Sequence, residues 1–156
     1  MPSSIPKASR PSVPANNAAL MVGKKIKGRK RHIVVDVLGN LLAVVVHAAN
    51  IHDTVSGIVA ARKAVLAYPG SRGFCADAGY KGTFETDMWE NFQCGVDISE
   101  KIKPKEWEIL PWRWIVERTL AWLNTFRRLS KDYEIKTFSA ESFVKIAHLH
   151  TLLKRL

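Results

Sequence analysis

The amino-acid sequence predicts an α/β fold in which a mixed β-sheet is flanked by helices. The predicted elements run strand, strand, helix, strand, helix, strand, helix, helix, an order typical of α/β proteins. A short turn joins the first two strands, which are therefore antiparallel, whereas the later strands alternate with helices and continue the sheet in parallel. A length of 156 residues with 47% hydrophobic residues suits one domain with one core.

The first 22 residues are predicted to be a loose, disordered tail. They contain four prolines among Ser, Ala and Asn, and proline disfavours both helix interiors and central strands. We therefore place the start of the folded domain at residue 23, so that the domain covers residues 23–156.

A strongly basic segment leads into the first two strands. Its six cationic side chains are Lys24, Lys25, Lys27, Arg29, Lys30 and Arg31. A strand is predicted at 33–36, where three β-branched residues precede Asp36. The turn signal Leu38-Gly39-Asn40 and a second apolar run at 41–47 follow, so we predict an antiparallel hairpin. Such a charge run is either a solvated loop or a grip on phosphates.

Helices and short strands alternate through the middle of the chain. Asp53 or Thr54 can cap the start of a crossover helix. Residues 73–77 are predicted to form a short buried strand that ends on Asp77, and a helix at 83–91 and a strand at 94–98 follow.

Two amphipathic helices are predicted near the carboxyl end. Apolar side chains recur every three and four residues across 111–129. The same pattern returns across 140–156, and its apolar positions are Phe143, Ile146, Leu149 and Leu153.

The charge balance points to a polyanionic partner. There are 24 Lys and Arg residues against 14 Asp and Glu, for a formal net charge of +10, so nucleic acid is the first expectation. Cys75 and Cys94 lack metal-ligand spacing and are predicted to be reduced and buried. We find neither a signal-peptide core nor an apolar run of the about 20 residues that cross a membrane, and therefore expect a cytoplasmic protein.

Two carboxylates stand out because of their predicted positions. Asp77 ends a strand at the carboxyl edge of the sheet, where α/β folds place ligand sites, and Glu117 lies in the long helix one turn after Arg113. Phosphoryl transfer on DNA uses acids that hold divalent metals, and hard oxygen ligands favour Mg²⁺ or Mn²⁺. The alternative is that Asp77 caps a turn and Glu117 forms an exposed ion pair.

Four segments of the chain resemble the catalytic domain of insertion-sequence transposases of the Asp-Asp-Glu (DDE) type. They are residues 23–36, 48–53, 75–82 and 110–134, in the family's order and spacing. The resemblance implies an RNase H-like fold, with Asp77 and Glu117 as the second and third acids of the metal-binding triad. Arg113 and Glu117 match the family's Arg-x3-Glu signature, whereas Leu110 and Asn124 replace a tyrosine and a lysine of some relatives.

The resemblance also implies a first acid that we cannot find. Relatives carry it on a strand upstream of the Gly23-Lys24-Lys25 segment, yet residues 1–35 contain neither Asp nor Glu. In the RNase H-like order that strand lies in the middle of the sheet, so we expect an N-terminally truncated domain without its central strand. Residues 18–22 are the only nearby candidate for its place, and Asp36 matches a position that is not catalytic.

We therefore expect a domain for DNA strand cleavage and transfer that uses Mg²⁺ or Mn²⁺ held by Asp77 and Glu117 and is impaired by the missing acid. Its expected partners are double-stranded DNA and further transposase subunits. The expected DNA contacts are Lys24, Lys25, Lys27, Arg29, Lys30, Arg31, Arg113, Arg127 and Arg128. One alternative is a non-catalytic, basic DNA-binding remnant; another is an unrelated basic nucleic-acid protein, in which Asp77 and Glu117 have no role.

Overall fold

The computed structural model describes residues 19–20, 27–99 and 113–155. The predicted disordered tail, apart from residues 19–20, lies outside these ranges, and so do Lys24 and Lys25. For Lys27 and Arg113 the backbone is described but the side chain is not. No helix in the described ranges has the length and apolar character needed to cross a membrane.

The described elements follow the predicted order and confirm the α/β class. The strands are β1 (Ala19–Leu20), β2 (Lys27–Val35), β3 (Leu41–Ala48), β4 (Gly73–Asp77) and β5 (Gly95–Ser99). The helices are α1 (Asp53–Ala67), α2 (Thr83–Phe92), α3 (Arg113–Asn124), α4 (Arg127–Ser130) and α5 (Thr137–Leu153). A short 3₁₀ turn, Ala78–Tyr80, follows β4 directly.

The described strands form two sheets. β1, β2 and β3 make an antiparallel sheet in that order, and β4 pairs with β5 in parallel. β1 falls within the segment 18–22 that we considered for the missing strand. Within the described ranges it pairs with the first two residues of β2, Ala19 with Gly28 and Leu20 with Lys27.

The predicted hairpin between β2 and β3 is confirmed. The Asp36 carboxylate accepts the N–H groups of Leu38 and Asn40 and so closes the turn. Burial raises the pKa of Asp36, but the hydrogen bonds from Asn40 and Leu38 outweigh it and hold the pKa below its usual range. Gly39 has a φ of +87°, in the left-handed region where glycine is the favoured residue.

Two apolar clusters hold the elements together. The first joins the hairpin to α3, α4 and α5 through Val44, Val46, Leu123, Leu129, Ala140, Val144 and Ala147. The second packs α1 and α2 against β4 and β5 through Ala61, Val65, Phe84, Met88 and Cys94. Helices α1 and α5 both pack against β3, which explains why β3 is buried along most of its length.

Two predicted helix details are wrong. The single helix expected at 111–129 is interrupted, because α3 ends at Asn124 and α4 begins at Arg127. The N–H groups of Thr125 and Phe126 bond to the carbonyls three residues earlier, which tightens the last turn of α3 and ends it.

The buried face of α5 also differs from the prediction. Ile146, Leu149 and Leu153 are exposed. The buried residues of this helix are Ala140, Val144, Ala147 and His148. Small side chains let α5 lie close to β3, and the His148 ring accepts the N–H of Leu41, at 2.9 Å, so a polar side chain is satisfied there.

Candidate active site

A large cleft lies between β2 and β4. Its volume is about 1280 Å³. One wall is the edge of β2 from Lys30 to Val35, and the opposite wall is β4. Residues of α1 and α3 close the other two sides, among them Gly57, Ala60, Ala61, Ile115 and Leu120. Asp77 and Glu117 both line this cleft.

Asp77 is the last residue of β4 and lies on the exposed face of its sheet. Side chains alternate along β4, so that Gly73, Cys75 and Asp77 are exposed while Phe74 and Ala76 pack against the second cluster. Asp77 makes no side-chain cap to the 3₁₀ turn that follows. The alternative interpretation, in which the Asp77 side chain caps the following turn, is therefore not supported.

Cys75 shares the exposed face of β4 with Asp77, so its predicted burial is wrong, whereas the burial predicted for Cys94 is confirmed. We had interpreted residues 73–77 as a strand buried on both faces, whereas exposed and half-buried residues alternate along it. β4 has helices on one face and the cleft on the other.

The docking of α3 on the hairpin turn sets the position of Glu117. Thr119 is fully buried and its hydroxyl donates to the Gly39 carbonyl, at 3.3 Å. The next residue back, Arg118, donates to the Leu38 carbonyl, at 3.1 Å, and its guanidinium lies over the rings of Trp114 and Trp122. These contacts fix the rotation of α3 and leave Glu117 exposed on the cleft.

The two carboxylates that line the cleft are the candidate metal ligands. Asp77 and Glu117 are hard oxygen donors of the kind that Mg²⁺ prefers. Among the described residues, however, no three His, Cys, Asp or Glu side chains are grouped so as to hold a metal ion.

Sequence reasoning missed a further carboxylate that lines the cleft. Asp97 lies on β5 directly beside Cys75 in the parallel register and is exposed on the same face. The signal was present in the sequence, since Asp97 separates Val96 from Ile98, and an acid between two apolar residues of a strand points to the opposite face.

A half-buried polar network lies beside Asp77. The Tyr80 hydroxyl is 2.8 Å from His32 Nδ1, and the His32 ring stacks on that of His47 at 4.8 Å between centroids. Gly57 of α1 makes room for Tyr80, because a Cβ at this position would overlap the tyrosine ring. The turn after Asp77 is thus tied to both β2 and α1.

Burial sets the protonation of this network. It lowers the pKa of His32 below the ordinary 6.5, and the neighbouring His47 lowers it further, against a partial rise from Asp53. Burial, with the carboxylates of Asp53 and Asp77, raises the pKa of Tyr80 to about 12. At neutral pH His32 is therefore neutral, and its Nδ1 shares a hydrogen bond with the Tyr80 hydroxyl.

The basic residues predicted to contact DNA lie in different environments. The Arg29 side chain is only 2% exposed and donates to the Asp132 carboxylate and the Glu134 carbonyl. Arg31 donates to the Leu129 carbonyl, at 2.8 Å. Lys30 pairs with Asp53, at 2.7 Å. Three residues of the basic segment therefore have structural partners.

Two predicted DNA contacts are more accessible. Arg127 is exposed at the start of α4. The Arg128 side chain is 58% exposed, although it pairs with Glu134 and lies over the Phe143 ring. These two guanidinium groups can reach a partner in solution.

Comparisons with known proteins identify the relatives of the chain. Residues 21–152 match the family model of the transposase DDE domain. The chain is 30% identical over 127 residues to a Burkholderia cepacia protein named as a transposase for insertion sequence element IS402. That match covers 76% of this chain and 60% of the relative's length. No solved structure shows a significant match. The small sheets flanked by helices are consistent with an RNase H-like DDE domain.

Proposed function

Because this chain belongs to the DDE transposase family, we propose that its cleft is a site of DNA strand cleavage and transfer in which Asp77 and Glu117 hold Mg²⁺ or Mn²⁺. One observation carries the proposal: a strand end and a helix that are distant in sequence both present a carboxylate to the same cleft. The proposed partners are double-stranded DNA and further transposase subunits, in the cytoplasm.

The protein contributes position and charge to this chemistry. When bound, the divalent metal supplies activation of the attacking oxygen and stabilisation of the leaving oxygen. Asp77 is held in place by the turn that Tyr80 anchors to His32. Glu117 is held by a helix docked on the hairpin turn. Two separate elements therefore set the distance between the ligands.

We further propose that catalysis by this chain is impaired. The family's first acid has no counterpart in residues 1–35, which contain no Asp or Glu. Within the described ranges no third ligand joins Asp77 and Glu117. A metal held by two carboxylates keeps more water ligands and binds more weakly, because fewer charges offset its loss of hydration.

The proposed DNA contacts lie on the basic segment, at the start of α3 and on α4. Lys24, Lys25, Lys27, Lys30, Arg31, Arg113, Arg127 and Arg128 are the proposed phosphate contacts. Arg29 is left out because its buried guanidinium is already bound by Asp132 and Glu134. Such contacts raise affinity without reading base sequence and weaken as salt rises.

A plasmid assay tests this function. Supercoiled DNA is incubated with the chain and Mg²⁺ or Mn²⁺, and nicked and joined products are counted. We expect slow nicking that Asp77→Asn and Glu117→Gln abolish while DNA binding stays unchanged. Glu90→Gln is the control, since Glu90 is an exposed acid of α2 outside the cleft. Nicking that survives both cleft substitutions would overturn the site assignment, and rapid turnover by the parent chain would overturn the impairment.

The second candidate is a non-catalytic DNA-binding remnant. It is favoured by the net charge of +10 together with the two-carboxylate donor set. Under this alternative the parent chain binds DNA but cuts none with either metal.

A further inference from the structure

Helix α5 has a second apolar face, on the side that points away from the core. Four large apolar side chains on this face are between 56% and 73% exposed, namely Phe138, Ile146, Leu149 and Leu153. The buried face of the same helix carries mostly smaller side chains, namely Ala140, Val144 and Ala147, together with His148. An amphipathic helix ordinarily buries its large apolar residues and exposes polar ones, so the outer face of α5 is unusual.

The exposed apolar residues form one line along the helix. Ile146, Leu149 and Leu153 follow one another at spacings of three and four residues, and Phe138 lies about two turns before Ile146 on the same side. At a rise of about 1.5 Å per residue, the line from Phe138 to Leu153 is about 22 Å long. Single exposed apolar residues are ordinary, whereas a contiguous apolar surface marks a site of interaction. We name this line of four residues the α5 stripe.

Positive charge borders the α5 stripe. Lys136 and Lys154 occupy the N-cap and C-cap positions of the helix, and Lys145 is exposed one turn before Leu149. The acid of this helix, Glu141, is half-buried and pairs with Lys63 of α1, at 3.2 Å. The charged groups that α5 and its caps expose to a partner are therefore cationic.

A second copy of the chain is poorly suited to cover the α5 stripe. If two stripes paired antiparallel over their whole length, Phe138 of one copy would lie opposite Leu153 of the other. Lys136 would then lie near the other copy's Lys154, and Lys145 would face its own counterpart. A parallel pairing would set each lysine beside its counterpart. Like charges placed together in this way disfavour a contact, and each copy carries a net charge of +10.

We propose that the α5 stripe is a docking surface for a helix of a different protein, an amphipathic helix whose apolar face is bordered by acidic residues. The apolar side chains of that helix cover the stripe, and its carboxylates pair with Lys136, Lys145 and Lys154. None of the described residues that line the cleft belongs to α5. This docking is therefore separate from the proposed site of strand cleavage.

Peptide binding to the full chain tests the proposal. The probe is a fluorescent helical peptide of about 18 residues, long enough to span the stripe, with Leu at spacings of three and four residues on one face and Glu on both borders of that face. Its matched control has Lys in place of every Glu. Fluorescence anisotropy in the absence of DNA measures the affinity. We expect the Glu peptide to bind at least about tenfold more tightly than the Lys peptide.

A matched pair of variants separates docking on the stripe from general attraction to a cationic protein. Leu149 in the stripe and Val55 on α1 are both 56% exposed. We expect Leu149→Ser to weaken binding of the Glu peptide about tenfold, because it removes a central apolar contact. Val55→Ser should leave the affinity unchanged.

A second pair of variants tests the charges. Lys145→Glu and Arg72→Glu change the net charge equally, but Arg72 is an exposed residue between α1 and β4. We expect Lys145→Glu to reduce the preference for the Glu peptide at least about threefold more than Arg72→Glu does, because charges close to the contact act most strongly.

Four outcomes contradict the proposal. The first is that the Glu peptide does not bind the parent chain, and the second is that both peptides bind equally. The third is binding that Leu149→Ser and Val55→Ser change to the same extent, which would indicate general attraction between charges. The fourth is a dimer of the parent chain in sedimentation velocity that Leu149→Ser separates, which would make a second copy the occupant.

Discussion

The strand that Asp77 ends and the turn that follows it set the position of Asp77. Tyr80, three residues on, reaches back to His32 and packs against Gly57, where no larger residue fits. Asp77 and Glu117 could be identified from the sequence, because the apolar periodicity places Asp77 at the end of a strand and Glu117 in a long helix. The sequence could not show that Arg29 binds Asp132 and Glu134, because these two residues are more than 100 positions away from it along the chain.

Replacement of Gly57 by Ala is expected to destabilise the protein. The added Cβ would overlap the Tyr80 ring, and relief of such crowding costs about 2 kcal/mol, more than the roughly 1 kcal/mol that Ala gains over Gly in a helix. Urea unfolding measures the free energy. Gly70→Ala is the matched control, since nothing lies within 4 Å of its added Cβ. Equal loss in both variants would contradict the role given to Gly57.

Stability is expected to fall in mild acid. Burial lowers the pKa of both His32 and His148 below 6.5, so the unfolded chain takes up protons first as the pH drops. The stabilisation is complete above pH 6.5 and declines below it, because protonation then favours unfolding. Urea unfolding at about pH 7.5, 6.0 and 5.0, which spans the range in which histidine gains its charge, should show a smaller decline in the unfolding free energy for His32→Asn. An unchanged pH dependence in that variant would count against a buried, neutral His32.

At the scale of elements, type and order were predictable, whereas the buried faces were less so. The buried residues of α1 are mostly small, namely Ser56, Gly57, Ala60, Ala61 and Ala64, with Val65. Val55 and Val59, which a search for large apolar residues selects, are exposed. β2 also begins earlier than predicted, at Lys27, because Arg29 and Lys30 gain acidic partners from other elements.

Arg29 and Arg127 should separate folding from DNA binding. Arg29→Ala removes a nearly buried cation from Asp132, and the loss of one partner of such a pair costs about 3 kcal/mol. Arg127 is exposed, so Arg127→Ala should change the unfolding free energy by no more than about 0.5 kcal/mol. Urea unfolding tests this contrast, which would fail if both variants lost similar stability.

At the scale of the whole molecule, the sequence predicted the elements but expected a single sheet without its central strand. The described residues form two small sheets, and a cleft lies between β2 and β4. The volume and lining of this cleft depend on how α1 and α3 pack on opposite sides, which no local pattern reports.

DNA affinity should depend strongly on salt. The logarithm of the association constant is expected to fall linearly with the logarithm of salt concentration, because phosphate contacts release counterions. Arg127→Ala combined with Arg128→Ala should reduce the magnitude of this slope by about 2. Fluorescence anisotropy with a labelled duplex measures the slope. A slope that is the same in the parent and the double variant would exclude α4 from the DNA surface.

The central claim is that Asp77 and Glu117 bind the same metal ion. Its most direct test is a double-mutant cycle in which electron paramagnetic resonance measures Mn²⁺ binding in the absence of DNA. If Asp77 and Glu117 share one ion, Asp77→Asn and Glu117→Gln should each weaken Mn²⁺ binding at least tenfold, about 1.4 kcal/mol. The double variant should then be little weaker than either single one, since each change already dismantles the same site. Losses that simply add, or an affinity that neither substitution changes, would contradict a shared metal site in the cleft.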